Sequence, residues 1–159
     1  MTIAIGDRLP EATLVKVTAE GPDRVTTTDY FAGRTIVLFA VPGAFTPTCS
    51  AKHLPGFAAK VQAFRDKRVD EIACTAVNDA FVLGAWAKAN DVEGVTMLAD
   101  GNGDFARAIG LSMDGSAYGM GLRSQRYSML VEDGVVTRLN VEEPGAFKVS
   151  SAEHLLDLI

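Results

Sequence analysis

The run Thr35-Ile-Val-Leu-Phe-Ala-Val41 constrains this chain more than any other stretch. After the threonine every residue is apolar, with no polar alternation. Such a run forms a strand only where both of its faces are buried, the environment of a central strand in a largely parallel sheet. It is far short of the roughly 20 residues that a membrane helix needs. The residues after it complete a pattern. Pro42-Gly43 opens a loop reaching Thr48, Cys49 to about Lys67 has helical composition, and Glu71 to Val77 is a second apolar strand. Strand, loop, helix and strand make a βαβ unit. Pro55-Gly56 is expected to bend or break its helix early.

The rest of the chain extends that unit in both directions. Ala12 to Val17 and Arg24 to Thr27 read as short strands about the turn residues Glu20-Gly21-Pro22-Asp23. Ala80 to Asn90 reads as a helix, Thr96 to Ala99 as a short strand, and Asp104 to Ile109 as a short helix. Arg126 to Glu132 and Val135 to Val141 flank Asp133-Gly134, a strong hairpin signal. Ser150 to Ile159 reads as a terminal helix with Ser150 and Glu153 placed as a capping box. There is no internal repeat or low-complexity linker, and 159 residues suit one hydrophobic core. Residues 1–159 are therefore read as a single domain of the α/β class, a central mixed sheet flanked by helices.

Charge and cysteine usage narrow the function. A net charge of −5 with no basic block argues against a nucleic-acid or anionic-membrane binder. The start, Met1-Thr-Ile-Ala-Ile-Gly-Asp7, has no basic region followed by an apolar run, so the expected location is cytoplasmic; an organelle-targeting segment already removed would leave no trace. Cys49 and Cys74 lie far apart without a C-x-x-C, and they and His53 and His154 lack the close pairing of zinc ligands. No metal and no structural disulfide framework is expected, which leaves packing or reactivity to explain the two thiols.

Position distinguishes Cys49. It falls where a central strand feeds a helix, the end of an α/β sheet at which ligands tend to bind. The unpaired amides and dipole of the first helical turn favour a negative charge, so a thiol there ionises more readily, and thiolate is the nucleophilic form. Thr46, three residues earlier, is brought near the sulfur by one helical turn; its alternative role is an N-cap. Pro42 ends the strand without an amide hydrogen and can wall a pocket, or simply form a turn.

Pro42-Gly-Ala-Phe-Thr-Pro-Thr-Cys-Ser50 closely resembles the active-site loop of the peroxiredoxins: Pro, three residues, Thr, two residues, Cys. Lys52-His-Leu-Pro-Gly56, Val77-Asn-Asp-Ala-Phe-Val-Leu-Gly-Ala-Trp86 and Arg126-Tyr-Ser-Met-Leu-Val-Glu-Asp-Gly134 extend the likeness over nearly the whole chain, towards the type II, or peroxiredoxin-five-like, branch. The resemblance implies a thioredoxin-like fold. It implies that Cys49 is the peroxidatic cysteine, with Thr46 orienting peroxide, Pro42 shielding the site and Arg126 supporting the thiolate. Arg123 is the rival arginine just upstream, and the Arg-Tyr-Ser-Met run favours Arg126. The implied activity is reduction of hydrogen peroxide and alkyl hydroperoxides through a cysteine sulfenic acid, without metal, haem or flavin. Charge moving onto the leaving oxygen would be received by Arg126, the Thr46 hydroxyl and the amides around Thr48 and Cys49.

Regeneration of the thiol is where the chain departs from part of that family. Some relatives carry a resolving cysteine near the C-terminus, and the corresponding stretch here is Phe147-Lys-Val-Ser-Ser-Ala152. Cys74, inside an apolar strand, reads first as packing and second as a possible redox thiol. The expected reductant is external: glutathione with glutaredoxin, or thioredoxin. A homodimer meeting near the active site is expected, with Ser112 to Gly121, Phe45 and Trp86 lining a rim or subunit contact; Trp86 otherwise reads as a core aromatic. His53 reads as a structural or supporting residue. The competing functions are a peroxide sensor that relays oxidation to a partner, and a dithiol–disulfide oxidoreductase, which the missing C-x-x-C disfavours.

Overall fold

The computed structural model describes residues 2–159. Its elements are β1 (Thr13–Thr18), β2 (Gly21–Thr26), α1 (Thr27–Phe31), β3 (Thr35–Ala40), a π-helical turn (Cys49–His53), α2 (Leu54–Ala58), α3 (Val61–Asp66), β4 (Glu71–Ala76), α4 (Ala80–Ala89), β5 (Val95–Ala99) and α5 (Asp104–Ala108). Beyond these lie β6 (Ser112–Asp114), a 3₁₀ turn (Ser116–Tyr118), β7 (Leu122–Ser124), β8 (Tyr127–Glu132), β9 (Val135–Val141) and α6 (Ala152–Leu158). Seven strands form one sheet in the order β2-β1-β5-β4-β3-β8-β9, and β6 and β7 form a separate two-stranded ribbon. β3, β4 and β5 run parallel, while β1, β8 and β9 pair antiparallel, so the sheet is mixed.

Period-two alternation assigns the residues of β3 to two cores. Val37 and Phe39 face a layer built from Leu54, Phe57, Phe64, Leu83, Trp86 and Leu155 of the helices α2, α3, α4 and α6. Ile36, Leu38 and Ala40 face the opposite layer, with Phe31, Phe105 and Ile109. Both faces are covered, which is why β3 carries no polar side chain after Thr35. Cys49 and Cys74 belong to the first layer.

Three local expectations differ from what forms. The first hairpin turns at Ala19-Glu20, and Gly21, Pro22 and Asp23 belong to β2. A proline is tolerated there because β2 is the outer strand, where a missing donor breaks no ladder bond. The helix after Cys49 is not interrupted at Pro55-Gly56; it widens instead into a π-turn, the Leu54 amide donating to the Cys49 carbonyl, and breaks after Ala58. Proline lacks an amide hydrogen and its ring clashes with the carbonyl four residues back, so widening just before Pro55 relieves both problems. The cap of α6 is Ser151, whose hydroxyl accepts from the His154 amide, and not Ser150, whose side chain is engaged by Glu142. The β8–β9 hairpin closes through Asp133 (φ 50°) and Gly134 (φ 80°), the left-handed pair that a two-residue turn of this hand requires.

Candidate active site

Backbone register delivers the arginine. β3 and β8 are antiparallel with Ala40 opposite Tyr127, so the residue before β8 lies at the carboxyl end of β3, beside the loop that carries Cys49. That residue is Arg126, and its Nη2 stands 3.1 Å from Cys49 Sγ. Arg123 is turned elsewhere, donating to the carbonyls of Met120 and Val77.

The loop from Pro42 to Thr48 is held at several points. The Val41 amide extends β3 by one bond to the Thr75 carbonyl, and the Ala44 amide donates to Asn78 Oδ1. Phe45 adopts φ 65° and points outward, 56% exposed. Gly43 is packed so closely that a β-carbon would lie 3.3 Å from Arg123, Met120 and Thr46 side-chain atoms. Pro42 is half-buried at the start of this loop, and Thr48 is the residue immediately before the π-turn.

Thr46 Oγ1 lies 2.8 Å from both the Gly43 carbonyl and Cys49 Sγ. A hydroxyl has one hydrogen, so with a neutral thiol it donates to Gly43 and accepts from the S–H. Against a thiolate it can rotate and donate to sulfur, while Arg126 donates from the other side. The sulfur itself is fully buried. Ser50, the next residue, accepts a 2.9 Å bond from the indole N–H of Trp86. Trp86 is therefore a core aromatic with no exposed surface, and not a rim residue.

Behind Arg126 lies a set of partners of which the sequence marks only His53, within the Lys52-His-Leu-Pro-Gly56 run. Arg126 Nη1 is 2.9 Å from His53 Nδ1, and His53 Nε2 is 3.0 Å from the Ser150 carbonyl oxygen. Burial first, and the Arg126 charge second, lower the imidazole pKa to about 3. Ser150 is in turn tied to Glu142 Oε2 by its hydroxyl (2.7 Å) and amide (2.8 Å), with the Lys148 and Val149 amides on the same oxygen. Burial alone would raise the Glu142 pKa, but these bonds outweigh it and hold the carboxyl below its ordinary range. The i, i+4 spacing of Cys49 and His53 places both on one helical face; nothing in the sequence points to Glu142.

Cys74 lies on β4 opposite Phe39, fully buried and free. Burial, then proximity to Cys49, pushes its thiol up well above the ordinary value, so it stays protonated and weakly nucleophilic. Among the described residues no cluster of three or more His, Cys, Asp or Glu forms a metal site, and no helix is long and apolar enough to cross a membrane.

The Redoxin family model matches residues 4–156. Peroxiredoxin-2E-2, chloroplastic, of Oryza sativa is 54% identical, the alignment covering 98% of this chain and 72% of the rice protein. The chain is a type II peroxiredoxin. Peroxiredoxin-2E, chloroplastic, of Arabidopsis thaliana is 49% identical over 98% of this chain and 68% of its own length. The reduced Prx3 of Vibrio vulnificus, solved in complex with hydrogen peroxide, superposes with a TM-score of 0.95 at 52% identity, covering 99% of each chain. Membership makes the thioredoxin-like fold a peroxiredoxin fold, and the chain a thiol peroxidase whose buried Cys49 is the peroxidatic cysteine.

Proposed function

We propose that this peroxiredoxin reduces hydrogen peroxide and alkyl hydroperoxides and is restored by an external thiol, glutathione with glutaredoxin or thioredoxin. The observation that carries the reading is the convergence of two side chains on Cys49 Sγ, the Thr46 hydroxyl at 2.8 Å and the Arg126 guanidinium at 3.1 Å. The thiolate attacks one oxygen of the peroxide, an S–O bond forms as the O–O bond breaks, and the departing oxygen takes a proton as water or alcohol. Negative charge passes from sulfur to that oxygen. The cationic guanidinium is a donor fixed on the sulfur before the reaction, which is where electrostatic catalysis is strongest, and the Thr46 hydroxyl and the first-turn amides of Thr48 and Cys49 supply further donors as charge develops. Pro42 adds a wall without a competing N–H.

The sulfenic acid then condenses with a donor thiol, releasing water and leaving a mixed disulfide that a second thiol resolves. Ser150 cannot form a disulfide, and the buried, protonated Cys74 is a poor attacker, which supports an outside donor. A homodimer is proposed from the exposed apolar residues Phe45, Phe81, Tyr118 and Leu122. The test is peroxide consumption with thioredoxin or glutathione–glutaredoxin supplied separately to wild type and Cys74→Ser. Sustained turnover by both proteins with one donor is expected. Loss of turnover in Cys74→Ser alone would overturn external resolution, and one fast oxidation without cycling would favour the sensor reading.

A further inference from the structure

We propose that His53 is a positioning residue for the peroxidatic centre: clamped between the Ser150 carbonyl and Arg126, its neutral ring aims the arginine at Cys49. The inference rests on the reading that Arg126 serves the Cys49 thiolate. The hydrogen-bond directions are forced in sequence. A carbonyl cannot donate, so the 3.0 Å contact with Ser150 places the imidazole hydrogen on Nε2. Nδ1 then carries a lone pair, and the 2.9 Å contact with Arg126 Nη1 is one in which arginine donates. The same guanidinium donates from Nη2 to Cys49 Sγ at 3.1 Å. Two terminal nitrogens of a planar group are thereby fixed by a ring and a sulfur, which sets the plane of the guanidinium as well as its place.

The ring has no freedom to abandon this role. Phe39, Phe57 and Phe147 pack about it with centroids 4.9, 5.5 and 5.1 Å away, and it has no exposed surface. Phe147 also lies 5.9 Å from the Arg126 guanidinium carbon. Ser150 is held by Glu142 through both its amide and its hydroxyl, so the acceptor for Nε2 is itself anchored. The charged and titratable groups about the ring are Arg126, Glu142 and Cys49. Arginine–histidine contact is repulsive when histidine is protonated, and the lowered pKa keeps it attractive at working pH. The C-terminal stretch, which in some relatives supplies a resolving thiol, here serves as the far anchor of the peroxidatic arginine.

Three substitutions test this. His53→Leu removes both ring bonds. His53→Asn keeps an acceptor close to the Nδ1 position, towards Arg126. His53→Gln keeps reach towards Ser150 but offers nothing at Nδ1. Each is measured for the second-order rate of reaction with hydrogen peroxide and for the pH profile of Cys49 alkylation by iodoacetamide, with circular dichroism to confirm folding. His53→Leu and His53→Gln should slow peroxide reaction by about 10- to 100-fold, less than outright loss of a donor, and move the alkylation profile to higher pH. His53→Asn should stay within about threefold of wild type. A merely structural role would not separate Asn from Gln, so equal behaviour of those two, or a Gln variant faster than Asn, overturns the inference even if the Leu variant fails to fold. Arg126→Met distinguishes the underlying reading: if it leaves rate and profile unchanged, the role given to Arg126 falls. If it slows the reaction while His53→Gln does not, only the role of His53 falls.

Discussion

Acidification should destabilise this protein through one buried side chain. His53 is fully enclosed, and its imidazole titrates at about 3 in the folded protein against 6.5 for an ordinary histidine. Between those values the unfolded chain binds a proton at residue 53 that the folded chain refuses, so stability is lost as pH falls through that window. One proton corresponds to about 1.4 kcal/mol per pH unit, and 6.5 to 4 is 2.5 units, giving a loss of about 3 kcal/mol by pH 4. That is a large share of the ~5–15 kcal/mol holding a typical domain together. Urea unfolding of wild type and His53→Gln at about pH 7, 5.5 and 4 isolates the effect, because groups such as Glu142, Asp100 and Glu71, whose own shifts are of mixed sign, are present in both proteins. The wild-type advantage over the variant should shrink by about 3 kcal/mol across the range, and by little between about pH 7 and 6.5. A gap that is constant with pH would refute the assignment of a neutral, desolvated ring.

Other substitutions report on other parts of the structure. Glu142→Ala leaves three amides and a hydroxyl around Ser150 without their acceptor and should cost about 2–4 kcal/mol in urea unfolding near neutral pH. Because the Glu142 carboxyl is held below its ordinary range, its contribution is present at neutral pH and lost in acid, so the cost of the Ala substitution should shrink as pH falls. Thr75→Val should stabilise the protein by about 1 kcal/mol, since Thr75 Oγ1 is buried without a hydrogen-bond partner and Val keeps the shape; a lower melting temperature would contradict this. Gly134→Ala should lower stability by about 1–2 kcal/mol, because φ is 80° in the Asp133-Gly134 turn; an unchanged urea midpoint would contradict it.

The βαβ unit is legible in the sequence because both of its signals are local: an unbroken apolar run ending at Val41, and a Pro-Gly loop leading to a helix. The hairpin at Asp133-Gly134 is legible for the same reason. Cys49 and Thr46 can be paired from a spacing of one helical turn. Arg126 cannot, since its proximity to Cys49 follows from the antiparallel register of Ala40 with Tyr127, which no local pattern encodes. The Glu142–Ser150–His53 arrangement is more remote still, joining a strand end, a loop carbonyl and a helical ring. Ser150 and Ser151 are equivalent N-caps by residue type; the choice falls to Ser151 because Glu142 takes the other hydroxyl. Pro55 reads as a breaker, yet an expanded turn accommodates a missing donor as readily as a kink does.

The central claim is that peroxide oxidises this protein at Cys49, by a sulfur held between Thr46 and Arg126. Reduced protein treated with one equivalent of hydrogen peroxide, trapped with a sulfenic-acid reagent and mapped by mass spectrometry, tests it most directly. The only tryptophan, bonded to Ser50 beside the reacting sulfur, supplies a fluorescence signal for the same event. The expected result is one reagent adduct on the Cys49 peptide, formed as the sulfenic oxygen leaves as water, none on the Cys74 peptide, and a fast fluorescence change that vanishes in Cys49→Ser. Oxidation first at Cys74, or an equally fast reaction in Cys49→Ser, would contradict the account.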